Sequence, residues 1–193
     1  VGRFDGGTFT PESTKLKGNG GNAFYASQTF TEMPEGDGRR VQISWGRVPT
    51  PGMPFNQMML FPTELSLRAF PEGIRLCAAP VRELENLRKN EYSWTGLSLA
   101  AGKNPLMGIR GDLMELNAEF EPGAAEQVTF TFRGVAVSYT VATQRISCDG
   151  MSNLLPLTNG KIKLRILVDR TSIEIFGNDG QLYMPMRANY NVG

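Results

Sequence analysis

Apolar and polar residues alternate with a period of two along most of the chain. Arg39 to Trp45 sets Val41, Ile43 and Trp45 against Gln42 and Ser44, the signature of a half-buried strand. Ala23–Phe30, Met58–Arg68 and Ile74–Ala79 read as its neighbours. Leu65 and Leu67 alternate in the second of these, where Pro62 marks an edge or a bulge because it has no N–H to donate. Reversals fall at Asp5-Gly6-Gly7 inside Phe4–Glu12, in the proline-rich stretch Gly46–Asn56, and at Pro71-Glu72-Gly73. Consecutive strands joined this way pair antiparallel, and four of them make one propeller blade.

Pro80 to Lys89 breaks the period. Val81, Leu84 and Leu87 recur every three residues and Arg88 ends the stripe, which predicts a helix of about two to three turns at most. From Tyr92 the period of two returns, most clearly in Asp112–Phe120, Gln127–Phe132, Val135–Val141, Ile162–Asp169 and Ser172–Phe176. Turns at Glu121-Pro122-Gly123, Arg133-Gly134, Asn159-Gly160 and Asn178-Asp179-Gly180 separate strands of the kind that build an antiparallel sandwich. The predicted class is all-β: blade strands over 1–79, a linker helix over 80–91 and a β-sandwich over 92–193.

Composition removes several function classes. Twenty basic against 19 acidic residues leave a net charge of +1, so no field draws the chain to nucleic acid or a membrane surface. No apolar run approaches the roughly 20 residues that span a bilayer. The chain contains no histidine, which excludes Ser-His and Cys-His nucleophile pairs and every His-ligated metal within it. Chemistry that needs only two carboxyl groups survives. Cys77 and Cys148 are too far apart in sequence for a zinc motif and read as two separate buried thiols, with a disulfide the alternative.

GNAFYASQTFTEMPEGDGRRVQISWG, the PTELSLR strand, the PVREL linker and VDRTSIEIFGNDG together resemble glycoside hydrolase family 32, the invertases, levanases and inulinases. The resemblance implies the last blade or blades of a five-bladed propeller followed by the family's C-terminal sandwich, incomplete at both ends. Val1-Gly2 resembles the middle of a family strand, and the chain stops at Val192-Gly193 where the family continues after Gln181. By the same resemblance the parent hydrolyses terminal β-linked fructose of levan, inulin or sucrose with retention. It uses no cofactor, and a secreted or periplasmic location suits a parent that degrades polymer. The family's Asn-Asp-Pro, Arg-Asp-Pro and Glu-Cys strings, which hold its essential carboxylates, do not occur here. No catalytic residue is therefore assigned, and the chain alone is expected to be inactive.

The remaining contribution is substrate contact. In the family the aromatic residue closing the F-Y-A-x-Q-T-F strand, a Trp in some members, faces the fructose pocket, and Phe30 matches it. Tyr25 and Gln28 share that strand. The alternative places Phe30 and Tyr25 in the blade core; Ala23 also departs from the acidic residue that often precedes F-Y. Asn56, in the Gly52-Met53-Pro54-Phe55-Asn56-Gln57 loop, contacts a second sugar unit or belongs to a packing loop. Trp45 is expected between blades. Asp169, Arg170 and Glu174 read as structural, with Glu174 on an outer face paired to Arg170 or Lys163. Two other functions stay open: a lectin-like sandwich, for which Tyr92, Trp94, Tyr139 and Tyr183 are the available aromatics, and a structural or dimerising module. A lone blade leaves both flanks uncovered, which predicts marginal stability or self-association, the missing part of the propeller being the natural partner.

Overall fold

The computed structural model describes residues 2–12, 16–100, 102–188 and 190; Val1 and Val192-Gly193 lie outside them. A short hairpin opens the chain, β1 (Gly2–Phe4) against β2 (Phe9–Pro11). Asp5 makes its turn: Oδ1 accepts from the Gly7 and Thr8 N–H groups at 2.8 and 2.7 Å. Those bonds, from Thr8 first, lower the Asp5 pKa.

The blade follows as β3 (Phe24–Thr29), β4 (Arg40–Gly46), β5 (Met58–Met59), β6 (Thr63–Phe70) and β7 (Gly73–Pro80). Its order is β3-β4-β6-β7, with β5 pairing to β4, and every pairing is antiparallel. The continuous strand expected over Met58–Arg68 is split. Leu60 turns into the protein and is 1% exposed, and Pro62, without an N–H, sits in the gap. The linker helix is a 3₁₀ helix over Arg82–Leu87, at the short end of the expected length. Only Val81 and Leu84 anchor it; Leu87 is 71% exposed. Two anchors hold one tight helical stretch and no more.

Two four-stranded antiparallel sheets form the sandwich. One is β12-β11-β10-β9, built from β9 (Gln127–Phe132), β10 (Val135–Thr140), β11 (Arg145–Cys148) and β12 (Met151–Leu154). The other is β15-β14-β13-β8, from β8 (Met114–Phe120), β13 (Ile162–Val168), β14 (Ser172–Gly177) and β15 (Leu182–Arg187). The sheets close on Val137, Tyr139, Ile146, Ile166, Ile175 and Met184, all at most 1% exposed. Alternation puts Ile173 and Ile175 into this core and sends Ser172, Glu174 and Phe176 to the other face.

That other face is not solvent. Leu167, Phe176 and Tyr183 pack on Ala78 of β7, with Phe24, Phe61, Leu65 and Leu84 around them. Backbone bonds join the halves: Ala78 N–H donates to Gly180 O at 3.0 Å, and the segment before β3 runs along the outer edge of β15. There Gly20 N–H donates to Tyr183 O (2.8 Å) and Ala23 N–H to Pro185 O (3.1 Å). Ion pairs close the rim. Arg39 forks between Asp37 (2.6 Å) and Glu83 of the 3₁₀ helix (2.7 Å), and its hydrogen bonds are the main reason both carboxyls sit at about 2. Burial works against ionised Glu115, yet hydrogen bonds from Arg88 and Asn117 and the charge of Arg165 hold it at about 2.

Candidate functional site

β3 is an edge strand of the blade, so its side chains reach open surface. Tyr25 is 60% exposed. It meets Trp45 edge to face, centroids 5.3 Å apart and planes at 88°, and the Arg47 guanidinium lies 5.3 Å from its ring centre. A register shift between Phe24 and Ser27 marks the irregularity beside Tyr25. The three side chains make an aromatic corner with a cation above it. Sugar C–H faces pack on such rings, and a guanidinium donates to hydroxyls.

Trp45, expected between blades, is 42% exposed here, on a flank that no described element of this chain covers. Its place at the end of an alternating strand gave no hint of the pairing with Tyr25, which depends on the register of β3.

Phe30 lies at the opposite end of β3. It is 46% exposed, and its N–H donates to Val41 O at 2.9 Å. Five residues of extended chain put it roughly 15 Å from Tyr25, beyond the span of one sugar ring. Gln28 is exposed between them, in register with Ile43. Asn56 is exposed at the Tyr25 end, since its loop leaves β4 at Gly46 and returns to pair Met58 with that same glycine. Its Oδ1 accepts from Gln57 N–H at 3.0 Å, which stabilises the loop at a residue with φ of 69°. The strand thus carries two separate stations, Tyr25 with Trp45 and Arg47, and Phe30 with Gln28.

Glu174 overturns its expected surface pairing. It is 0% exposed, and Arg170 and Lys163 are not its partners. Oε1 accepts from Phe61 N–H of the blade at 2.9 Å and Oε2 from the Tyr183 hydroxyl at 2.7 Å. Burial is the main cause that lifts its pKa to about 7. Lys163 pairs with Asp179 at 3.3 Å, and Asp169 accepts from Arg170 N–H at 2.7 Å, so these are turn and rim contacts. The reason is the covered outer face of β14, which strand alternation alone does not reveal.

Of the sandwich aromatics, Tyr139 and Tyr183 are buried at 1% and 4% and offer no platform. Tyr92 and Trp94 are exposed, nearly parallel at 17° with centroids 6.4 Å apart. Cys77 and Cys148 are free and buried. Among the described residues no three Cys, Asp or Glu side chains converge as a metal site requires, and no helix is long and apolar enough to cross a membrane.

Comparison with known proteins matches this arrangement to one family. The family model described as "Glycosyl hydrolases family 32 C terminal" matches residues 83–187. The levanase of Bacillus subtilis (strain 168) is 35% identical over 94% of this chain, which covers 32% of the levanase. A sucrose-6-phosphate hydrolase of Zymomonas mobilis is 27% identical over 94% of this chain and 38% of its own. The exo-inulinase of Aspergillus awamori superposes on 99% of this chain and 44% of its own, with TM-score 0.70 and 22% identity. The fructofuranosidase of Schwanniomyces occidentalis complexed with fructose covers 100% of this chain and 47% of its own, with TM-score 0.72 and 17% identity. The last two likenesses concern the fold, and in each case the chain spans less than half of its relative. By the family match and the levanase identity together, the chain belongs to glycoside hydrolase family 32.

Proposed function

We propose that these 193 residues are the C-terminal part of a retaining glycosidase that releases fructose from β-fructans or sucrose. In this reading residues 1–79 complete a propeller, 80–91 link, and 92–193 form the supporting sandwich. The carrying observation is the edge strand β3, which presents Tyr25 and Phe30 on open surface in a chain that has none of the family's carboxylate strings. Retaining hydrolysis needs a nucleophilic carboxylate and an acid/base carboxyl about 5 Å apart. Both come from the part of the parent outside this chain, and β3 supplies a wall against which the sugar is held. The exposed apolar residues on the two blade faces, Trp45 and Met59 on one side and Leu67 and Leu76 on the other, are where neighbouring blades pack.

The test is fructose release from levan, inulin and sucrose, measured chromatographically, by the 193-residue chain and by the complete reading frame. The complete enzyme is active and the chain alone is not; fructose released by the chain alone overturns the reading. In the complete enzyme Tyr25→Ala or Phe30→Ala removes a stacking contact of about 1 kcal/mol, roughly fivefold in KM. A second reading, a sugar-binding sandwich, draws on the exposed Tyr92–Trp94 pair. It requires that levan in an affinity gel retards the chain and that Trp94→Ala abolishes the effect.

A further inference from the structure

Glu174 is the only buried acidic residue among those described, and it sits where blade and sandwich meet. Its two partners come from different halves: the Phe61 N–H from the blade and the Tyr183 hydroxyl from β15. Tyr183 stacks on Phe176 at 4.8 Å and meets Phe24 edge-on at 6.3 Å. Phe24 is the first residue of β3, next to Tyr25. A continuous set of packed groups therefore runs from the buried carboxyl to the edge strand.

We propose that the proton on Glu174 sets how tightly the blade docks on the sandwich, and that Glu174 is in this way a positioning residue for β3. Both hydrogen bonds survive in either charge state. Neutral Glu174 keeps a carbonyl oxygen for Phe61 N–H and shares its proton with the Tyr183 oxygen; the anion accepts from both. What changes is the cost of a charge sealed from water.

The surrounding groups do little to offset that cost. On its own strand Ser172 is neutral, and on β15 it faces Pro185, with Tyr183 on one side and Arg187 opposite Ser172. On β13 it faces Leu167, and Asp169 beyond adds a like charge. Of the cations on that face of β13, Arg165 is engaged by Glu115 at 2.8 Å and Lys163 by Asp179. From the blade it receives a backbone N–H. The carboxyl is held up at about 7, by burial first, against an ordinary 4.5. A carboxyl raised in the docked state favours docking fully below its ordinary pKa and loses that contribution as pH rises through 7. One proton changes the docking equilibrium at most tenfold per pH unit, on the order of a hundredfold between pH 5 and 8.

The side-chain carboxyl carbon of Glu174 is followed by NMR from pH 4 to 9 in the ¹³C-labelled protein, with exchange protection of the Phe61 and Ala78 amides, corrected for intrinsic rates. The expected midpoint lies near 7, the Phe61 amide shift follows it, and protection falls above it. Tyr183→Phe, which removes a donor to the anion, raises the midpoint further. Glu174→Gln keeps an acceptor for Phe61 N–H and removes the pH dependence of protection. A Glu174 midpoint near the ordinary carboxyl value overturns the proposal, as does unchanged pH dependence in Glu174→Gln. Should that variant not fold, the titration of the unaltered protein decides alone.

Discussion

Gly21→Ala tests whether the segment before β3 ties the blade to the sandwich. Gly20 to Ala23 lies along the outer edge of β15 and is held by Gly20 N–H to Tyr183 O (2.8 Å) and Ala23 N–H to Pro185 O (3.1 Å). Arg187 N–H to Asn22 Oδ1 (2.9 Å) and Asn153 Nδ2 to Gly20 O (2.9 Å) complete the set. A methyl group at Gly21 would overlap the Pro185 carbonyl oxygen and stand 2.6 Å from its carbon. These are backbone atoms of a buried strand and cannot swing aside, so the segment must lift. Four hydrogen bonds at about 0.5–1.5 kcal/mol net each, partly replaced by water, give a loss of about 3 kcal/mol. For a chain of this size that lowers Tm by roughly 6–12 °C. Urea unfolding followed by tryptophan fluorescence measures the loss, and hydrogen exchange at Ala23 and Arg187 locates it. Gly7→Ala is the control: its methyl group meets nothing closer than Asp5 Oδ1 at 3.7 Å, and it should stay within about 0.5 kcal/mol of the unaltered protein. If Gly21→Ala is equally mild and Ala23 remains protected, the reasoning about this contact is wrong.

Asn178→Ala should cost about 2–4 kcal/mol in urea unfolding, because a 6%-exposed side chain that accepts from Lys163 N–H (3.1 Å) and donates to Pro156 O (2.7 Å) is lost at a residue with φ of 48°. Both thiols should resist a disulfide-exchange reagent at pH 8 until the protein unfolds: each is at most 2% exposed, and burial pushes Cys148 up to about 11. Fast labelling of either in the native protein would contradict that burial. Arg39→Met should return the Asp37 and Glu83 titrations from about 2 toward the ordinary carboxylate range, read by NMR. Because both pKa values are depressed, the contribution of this cluster is present above the ordinary range and lost as pH falls toward 2.

Strand identity was legible wherever one face is buried and the other wet. Val41 against Gln42 in β4, and Val137 against Ser138 in β10, announce themselves by period two. β15 did not, because Tyr183, Met184, Pro185 and Met186 are all buried and the alternation vanishes, with a proline arguing against a strand. β11 and β12 have four residues each and turn on Asp149 and Gly150, both at positive φ, too little pattern to separate from a loop. The same physics explains Glu174: alternation names the face a residue occupies, and only tertiary packing decides what lies against it. At the candidate site, the exposure of Tyr25 and Phe30 was not legible, because the sequence left both open between sugar contact and blade core. Nor was the corner of Tyr25, Trp45 and Arg47, since it depends on the register between β3 and β4.

The tie between Gly20–Ala23 and β15 also bears on how the chain is made. β15 leaves the ribosome after every other described strand, and the residues it binds were synthesised about 165 positions earlier. Until it emerges, β14 has no partner on that side, Tyr183 cannot reach Glu174, and the blade's apolar face at Leu65 and Ala78 has only part of its cover. Contacts so distant in sequence form slowly, and the nascent chain presents open strand edges meanwhile. Holding these edges apart until β15 arrives is a task for which a chaperone is suited.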